Sequence, residues 1–599
     1  MSDTHISDSL KYGLRRLYGQ VSPARKRQLY MVFVLMLLSA FAELVTLGAI
    51  LPFLVLLADP GKAASYPLLQ KAFVVLGWSD PHHILLPATL LFGSIALGAG
   101  AVRLLLIWMS QRFIFQLGHD LGVEVYRRTL YQPYLYHVSK NTSEVIATVN
   151  KVDAVVVNFL MQILQIFIAV AISTFIVAAL VAINPIVALT AAIGFGLIYL
   201  AVSYATRLRV RANSKVWAGA QGRRIKALQE GLGGIRDVLI DQCQASFISR
   251  YASVDLTIRR AQASNLFVTA APRFVIEACG MVLIAGMALV LSQGPGGLIT
   301  ALPVLGALAL GAQRLLPLLQ LIYSGWTSMN TSRQSLADVV AILDLPIEGR
   351  YQSTEPIEPL PFERKIELEG VSFRYGPDRP LVLKDVSLTV NKGARVGFIG
   401  KTGSGKSTIM DLVMGLLQPT SGQIKIDGTV LTLENVREWQ AQIAHVPQAI
   451  YLSDTTIAAN IAFGVAESEI DLVRVQEAAR HAELEDFIES LSDQYNSIVG
   501  ERGIRLSGGQ RQRIGIARAL YKQAKLLVFD EATSALDNET EAAVMASIGS
   551  LHRDLTILII AHRLSTVEKC DQIYRLDGGR LVGRGLPYTV IVDRVASNS

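Results

Sequence analysis

The sequence predicts a multi-pass α-helical membrane domain of six spans over residues 1–345, a linker at 346–364, and an α/β domain over 365–599. Three observations carry that reading. Hydrophobic residues make up 51% of the 599 and charged residues 18%, with a mean hydropathy of +0.39, whereas soluble domains carry about a quarter charged residues. The long apolar runs all fall before residue 327. From Lys365 onward, short apolar segments of strand length alternate with helical ones, the pattern of an α/β domain. A chain this apolar is not disordered. Its three cysteines (Cys243, Cys279, Cys570) sit in no Cys-x-x-Cys or Cys/His cluster, which excludes a disulfide-stapled domain and a structural zinc site.

Residues 1–28 are polar and basic, without the short apolar core of a signal peptide. The first span covers 29–57 and holds one charge, Glu43. The second covers 84–109 and holds Arg103. Residues 154–206 run for 53 positions without a charge, too long for one crossing, and the Asn184-Pro185 pair divides them into spans at 154–183 and 185–206. Spans five and six, 269–291 and 298–326, are separated by the glycine- and proline-bearing turn at 292–297. Between spans one and two, Tyr66, Leu69, Phe73 and Leu76 repeat at helical spacing before Trp78, which suits a helix at the outer interface over 62–78.

Net charge is +7, and where the charges lie decides what it means. Six Lys/Arg precede span one, five fall in 110–153 and eleven in 207–264, against two (Lys62, Lys71) on the other side. That bias places both termini in the cytoplasm and explains the basic balance without nucleic acid. The two inner loops are long and helix-friendly, so spans two to five are expected to continue beyond the bilayer as helices.

Residues Gly400-Lys401-Thr402-Gly403-Ser404-Gly405-Lys406-Ser407 follow an apolar strand at 395–399 and open a helix at 407–417. This is the context a phosphate-binding loop requires. Glycines let the backbone N–H groups and the helix N-terminus face phosphate oxygens. Lys406 is placed to bridge β- and γ-phosphates, and the Ser407 hydroxyl to ligate Mg²⁺. A second apolar strand, 526–529, ends in Asp530-Glu531. A strand-terminal acid aims at the metal, so Asp530 is the metal ligand and Glu531 the base that orients or deprotonates water. The cofactors are therefore ATP and Mg²⁺.

Within the spans, Arg103, Arg273 and Arg314 stand against Glu43 and Glu277. An ionisable group there costs several kcal/mol unless it faces a wet cavity or a partner. Arg273 and Glu277, one turn apart, can pair structurally, leaving Arg103 and Arg314 with only Glu43 between them. Three arginines against two glutamates make a net positive cavity suited to a phosphate-bearing anion.

The segment Leu506-Ser507-Gly508-Gly509-Gln510, 23 residues before Asp530, resembles the signature of ATP-binding cassette (ABC) ATPases. The resemblance implies that Tyr375 stacks on adenine, that Thr408 joins the phosphate loop in binding ATP, and that Gln448 senses Mg²⁺. It likewise implies an exporter X-loop at Glu501, a D-loop at Ser534-Ala535-Leu536-Asp537, and a switch histidine on the γ-phosphate at His562. In that family the signature residues Ser507, Gly508, Gly509 and Gln510 close over the phosphate loop of a second copy, so a homodimer with twelve spans and two hydrolytic sites is implied. Six spans before one cassette resemble the half-size, type IV exporters, with coupling helices at 134–144 and 224–232. The membrane half is similar to the PglK-type lipid-linked oligosaccharide flippases of bacteria, through Phe41-Ala42-Glu43, Pro52-Phe53, Arg103, Pro272-Arg273, Glu277, Arg314-Leu315 and Pro317. That branch implies a polyprenyl-pyrophosphate glycan engaged by Arg103, Arg273 and Arg314. A general lipid or drug exporter and a peptide exporter are the alternatives.

Overall fold

The structure is a computed structural model in which residues 3–58, 85–183, 185–292, 297–347, 357–531, 537–551, 554–560 and 567–586 are described. The chain divides into two units, one of Met1–Gln132 with Lys140–Ile347, the other of Pro133–Ser139 with Glu348–Ser599. The expected outer helix at 62–78 lies outside the described residues, as do His562 and positions 534–536 of the D-loop.

The first unit is helical: α1 (Asp3–Gln20), α2 (Pro23–Ala58) and α3 (Leu85–Leu130). The short α4 (Tyr134–Ser139) belongs to the second unit. There follow α5 (Thr142–Val155), a π-turn (Val156–Leu160), α6 (Met161–Ile183), α7 (Pro185–Gly233), α8 (Gln244–Ser292), α9 (Gly297–Thr331) and α10 (Arg333–Leu343). The described residues of the segments predicted as spans are helical, with the π-turn inside the third. Among the described residues, four segments have the length and apolarity to cross a membrane: Pro23–Thr46, Leu85–Leu130, Val145–Ala182 and Gln244–Val282. The 46 and 49 residues of α3, α7 and α8 extend about 70 Å at 1.5 Å each, over twice a hydrocarbon core of about 30 Å. The inner loops are thus continuations of the spans, as the sequence predicts.

The boundaries follow local chemistry. Pro185 opens α7, where its missing N–H and fixed φ cost nothing. Pro272 sits inside α8, where it removes a rung of the hydrogen-bond ladder. Two expectations for the inner loops need correction. The helix predicted at 134–144 stops at Ser139 and a new one starts at Thr142. Residues 224–232 are the last turns of α7 rather than a separate helix; the short helix of that loop is Ile235–Ile240, set off by the Gly233-Gly234 pair.

Packing holds α9 close to α6. A Cβ on Gly311 would stand 2.7 Å from Leu180, and one on Gly325 2.9 Å from Ile166, the small-residue approach that membrane helices use. The buried core gathers Leu17, Val32, Leu106, Phe113, Val155, Phe159 and Leu343 from six helical segments. The C-terminal carbonyls of α10 are capped by cations: Arg16 and Arg128 both donate to the Leu343 oxygen, at 2.7 and 2.6 Å.

In the second unit, β1 (Lys365–Phe373), β2 (Leu383–Asn391), β4 (Ser421–Ile426) and β5 (Thr429–Val430) form an antiparallel sheet of order β2-β1-β4-β5. A second sheet has order β10-β9-β3-β8-β7-β6. It comprises β3 (Arg395–Gly400), β6 (Ile443–Val446), β7 (Leu526–Asp530), β8 (Thr556–Ile560), β9 (Gln572–Asp577) and β10 (Arg580–Gly585). Pairing is parallel from β9 to β6, and only β10 runs against its neighbour. β8 is buried along its whole length between β3 and β7, the continuous apolar run expected of a strand covered on both faces. Register sets Phe398 and Asp530 each level with Ile560. The loop after β3 and the acids after β7 therefore leave the same carboxyl edge of the sheet, where α/β folds bind ligands.

Candidate functional site

The loop after β3 runs into α11 (Lys406–Val413). Gly400 has φ +154° and comes so near β9 that a Cβ would lie 2.3 Å from the Leu576 carbonyl oxygen. Gly405, at φ +100°, caps α11 in a left-handed conformation and turns the helix N-terminus onto the loop. Lys406 is 6% exposed, and its Nζ donates to the carbonyls of Gly400 (3.0 Å) and Lys401 (3.1 Å). Burial pushes its pKa down, while Glu531 and Asp530 pull it back up. Ser407 is exposed at the start of α11, with Lys401, Thr402 and Gly403 exposed before it. Ser404 is 3% exposed with a hydroxyl that meets no hydrogen-bond partner among the described residues. The predicted helix 407–417 stops short at Val413, because Gly415 at φ +68° turns the chain.

Glu531 follows β7 with φ +51°, a strained backbone of the kind that gathers at functional sites. Its N–H donates to the Ile560 oxygen at 3.1 Å. Gln448, two residues beyond β6, donates from Nε2 to Glu531 Oε2 at 2.7 Å. Lys406, Asp530, Glu531 and Gln448 thus meet at one edge of the sheet. The Tyr375 hydroxyl lies 3.2 Å from Thr408 Oγ1, and its ring stands edge-on to Phe373 at 4.9 Å. Ser507 caps α12 (Gly508–Tyr521) in a reciprocal box: its Oγ accepts from the Gln510 N–H (3.2 Å), and Gln510 Oε1 accepts from the Ser507 N–H (2.8 Å). This orders Gly508 and Gly509 as the open first turn of a helix. Glu501 lies in a single 3₁₀ turn, and Asp537 caps α13 (Asn538–Leu551) through Thr540 at 2.9 Å.

No cluster of three His, Cys, Asp or Glu side chains occurs among the described residues. Mg²⁺ takes one or two protein oxygens alongside phosphates and keeps its waters. Asp530, Ser407 and Gln448 fit such a role, and the glycine-walled loop fits phosphates.

Two groups here were not singled out from the sequence. Asp411, half-buried on α11, has its pKa raised to about 6 by burial and by the charge of Asp530. The Tyr134 hydroxyl of α4 is pushed up by burial, then by Asp411, Tyr375 and Asp530. Only burial reveals them. Because the folded state holds the Asp411 proton more tightly than the unfolded chain, its contribution to stability is full below about pH 4 and is lost as pH rises through 6. Asp411→Asn should therefore match wild type at pH 4 and unfold several degrees higher at pH 7.5, in metal-free, nucleotide-free buffer. Differential scanning calorimetry across that range checks it, and an offset independent of pH would contradict it.

In the first unit, Glu43 on α2 is 4% exposed and accepts hydrogen bonds from Arg103 on α3 and from Arg314 on α9, the latter at 2.7 Å. The three side chains line a cavity of about 460 Å³ between α2, α3, α6 and α9. Ser110 lines it too, with a buried hydroxyl that meets no partner among the described residues. Arg273 and Glu277 do not line it. They pair with each other at 2.8 Å on α8, with side chains 63% and 40% exposed. The expected grouping of three arginines is corrected accordingly: one protomer brings two together around one glutamate, because α8 turns position 273 to another face.

Comparison with known proteins bears on both units. Residues 383–534 match the family described as ABC transporter. A solved bacterial Atm1-family ABC exporter with ATP bound superposes with a TM-score of 0.76 over 96% of this chain and 97% of that one, at 24% identity. The chain has the ABC exporter fold. Relatives by sequence include the ATP-dependent lipid A-core flippases of Bordetella avium and Ralstonia nicotianae. The first is 35% identical over 391 residues, 65% of each chain. The second is 44% identical over 238 residues, 38% of this chain and 40% of the relative. The chain therefore spans less than two thirds of the length of these relatives.

Proposed function

We propose that this protein is an ATP-driven exporter that works as a homodimer in the bacterial inner membrane and flips a phosphate-bearing glycolipid, most specifically a polyprenyl-pyrophosphate-linked oligosaccharide. The observation that carries the substrate reading is Glu43 held between Arg103 and Arg314 in a cavity of the helix bundle. Two guanidinium groups on one carboxylate form a preassembled anion site, and a pyrophosphate offers each of them a bidentate partner. The relatives named as flippases support lipid movement driven by ATP, and they favour lipid A-core as a second reading.

In this account, loop amides and Lys406 bind the nucleotide phosphates, Lys406 exchanging the Gly400 and Lys401 carbonyls for phosphate oxygens. Tyr375 stacks on the base, and Thr408 joins the phosphate loop at the start of α11. Glu531 orients the attacking water and accepts its proton, with Gln448 holding the carboxylate in place. Ser407, Gln448 and Asp530 would hold Mg²⁺, which would supply positive charge to offset the negative charge of the nucleotide phosphates. His562 contacts the γ-phosphate. The signature of a second copy, with its open α12 N-terminus, completes each site.

ATPase measurements in lipid nanodiscs test the substrate. Polyprenyl-pyrophosphate oligosaccharide should stimulate turnover several-fold, and lipid A-core should not. The reverse result would establish the second reading, and stimulation by neither would point to a general lipid or drug exporter.

A further inference from the structure

A second cavity, of about 550 Å³, lies between the π-turn and the start of α6, the middle of α8 and the C-terminal end of α9. Its chemistry differs from that of the arginine cavity. Ten of its eleven lining residues are Asn, Gln, Ser or Thr, the other is Leu266, and none is charged. We infer that this cavity is a subsite for the neutral, hydroxyl-rich part of the transported ligand, a chain of sugars extending from the anionic group held at Arg103 and Arg314. The inference rests on the proposed function and deepens it.

Donors and acceptors are both fixed there. Asn213 donates from Nδ2 to Asn265 Oδ1 at 2.9 Å, which leaves the Asn265 NH₂ as donor. The hydroxyl hydrogens of Thr269, Ser324 and Thr331 go to carbonyls of their own helices, at 2.8, 3.2 and 3.0 Å. Their lone pairs remain to accept. Amide donors beside hydroxyl acceptors complement vicinal diols and offer nothing to neutralise an ion. Two further observations point to a ligand. Thr327 is 2% exposed, and its hydroxyl meets no hydrogen-bond partner among the described residues, a cost that a helix junction built only for packing would avoid by carrying Val. The π-turn, which contributes Asn158 to the wall, is a geometry rare in helices and frequent at functional sites.

Position sets the ligand's length. On α9 the lining of the arginine cavity ends at Arg314, Pro317, Leu318 and Leu321, and that of the polar cavity continues at Ser324, Ser328 and Thr331 with the same three- and four-residue spacing. Arg314 and Ser328 are fourteen residues apart, about 21 Å along the helix axis. A single sugar is too short for that distance, so the occupant is an oligosaccharide.

The test measures binding of two probes to the full-length protein in nanodiscs: polyprenyl pyrophosphate bearing the oligosaccharide, and polyprenyl pyrophosphate without sugar. Thr327→Val and Gln162→Leu keep volume and remove hydrogen bonding, with Ser328→Ala as a replacement should either fail to fold. Each variant should weaken the sugar-bearing probe about tenfold and leave the sugar-free probe at its wild-type affinity. Wild-type affinity for both probes in the folded variants would overturn the subsite alone. Wild-type protein that binds neither probe would overturn the proposed function, and the subsite with it.

Discussion

Glu531→Gln should bind ATP as wild type does and lose turnover by about 10²- to 10⁴-fold, the range for removal of a positioned general base. The substitution keeps the size of the side chain and an oxygen that can accept from Gln448 Nε2, which lies 2.7 Å from the carboxylate. What it removes is the basic oxygen that takes the water proton. The left-handed backbone at residue 531 is set by β7 and by the hydrogen bond to Ile560, so the variant should fold unchanged. Calorimetric titration with ATP and a single-turnover hydrolysis assay separate the two effects. Hydrolysis at the wild-type rate would remove Glu531 from the role.

The second large effect concerns the Glu43 cluster and appears only on combination. In Arg103→Ala the carboxylate keeps Arg314 at 2.7 Å, and in Arg314→Ala it keeps Arg103. Each arginine side chain is 45% exposed, so each single variant should cost only about 1 kcal/mol. Removing both leaves a 4% exposed carboxylate without its two counter-ions, at a cost of about 3–5 kcal/mol. That is a large part of the stability of a typical domain. The double variant should therefore fall well below the sum of the singles. Adding Glu43→Gln should restore folding and leave transport absent, because the anion site is gone. Thermal unfolding of the four proteins, paired with a flipping assay, checks this, and additivity of the singles would show that the cluster is not coupled.

The parts legible in the sequence are those whose chemistry is local. The phosphate loop, the acids after β7 and the signature each fit within a few residues, and hydropathy alone places the helices that carry the spans. The sheet order that sets β3 and β7 on either side of β8 arises from long-range pairing and leaves no local trace. The same holds for Asp411 and Tyr134, whose environment comes from burial against residues far along the chain. Span-five charge illustrates a further limit: Arg273 reads as intramembrane just as Arg103 and Arg314 do, but which face of α8 it occupies depends on packing. Glu43 was legible by elimination, once Arg273 and Glu277 paired one turn apart. The polar cavity was not, since its Asn, Gln, Ser and Thr residues come from three helices and look ordinary in each.

The most direct measurement is flipping itself. Purified protein in proteoliposomes, supplied with ATP, should move polyprenyl-pyrophosphate oligosaccharide between leaflets, read as protection of the glycan from an external glycosidase. The account predicts movement that needs ATP and disappears in Glu531→Gln and in the Arg103→Ala, Arg314→Ala, Glu43→Gln variant. Movement without ATP, movement that persists in the folded arginine variant, or movement of lipid A-core in its place would contradict it.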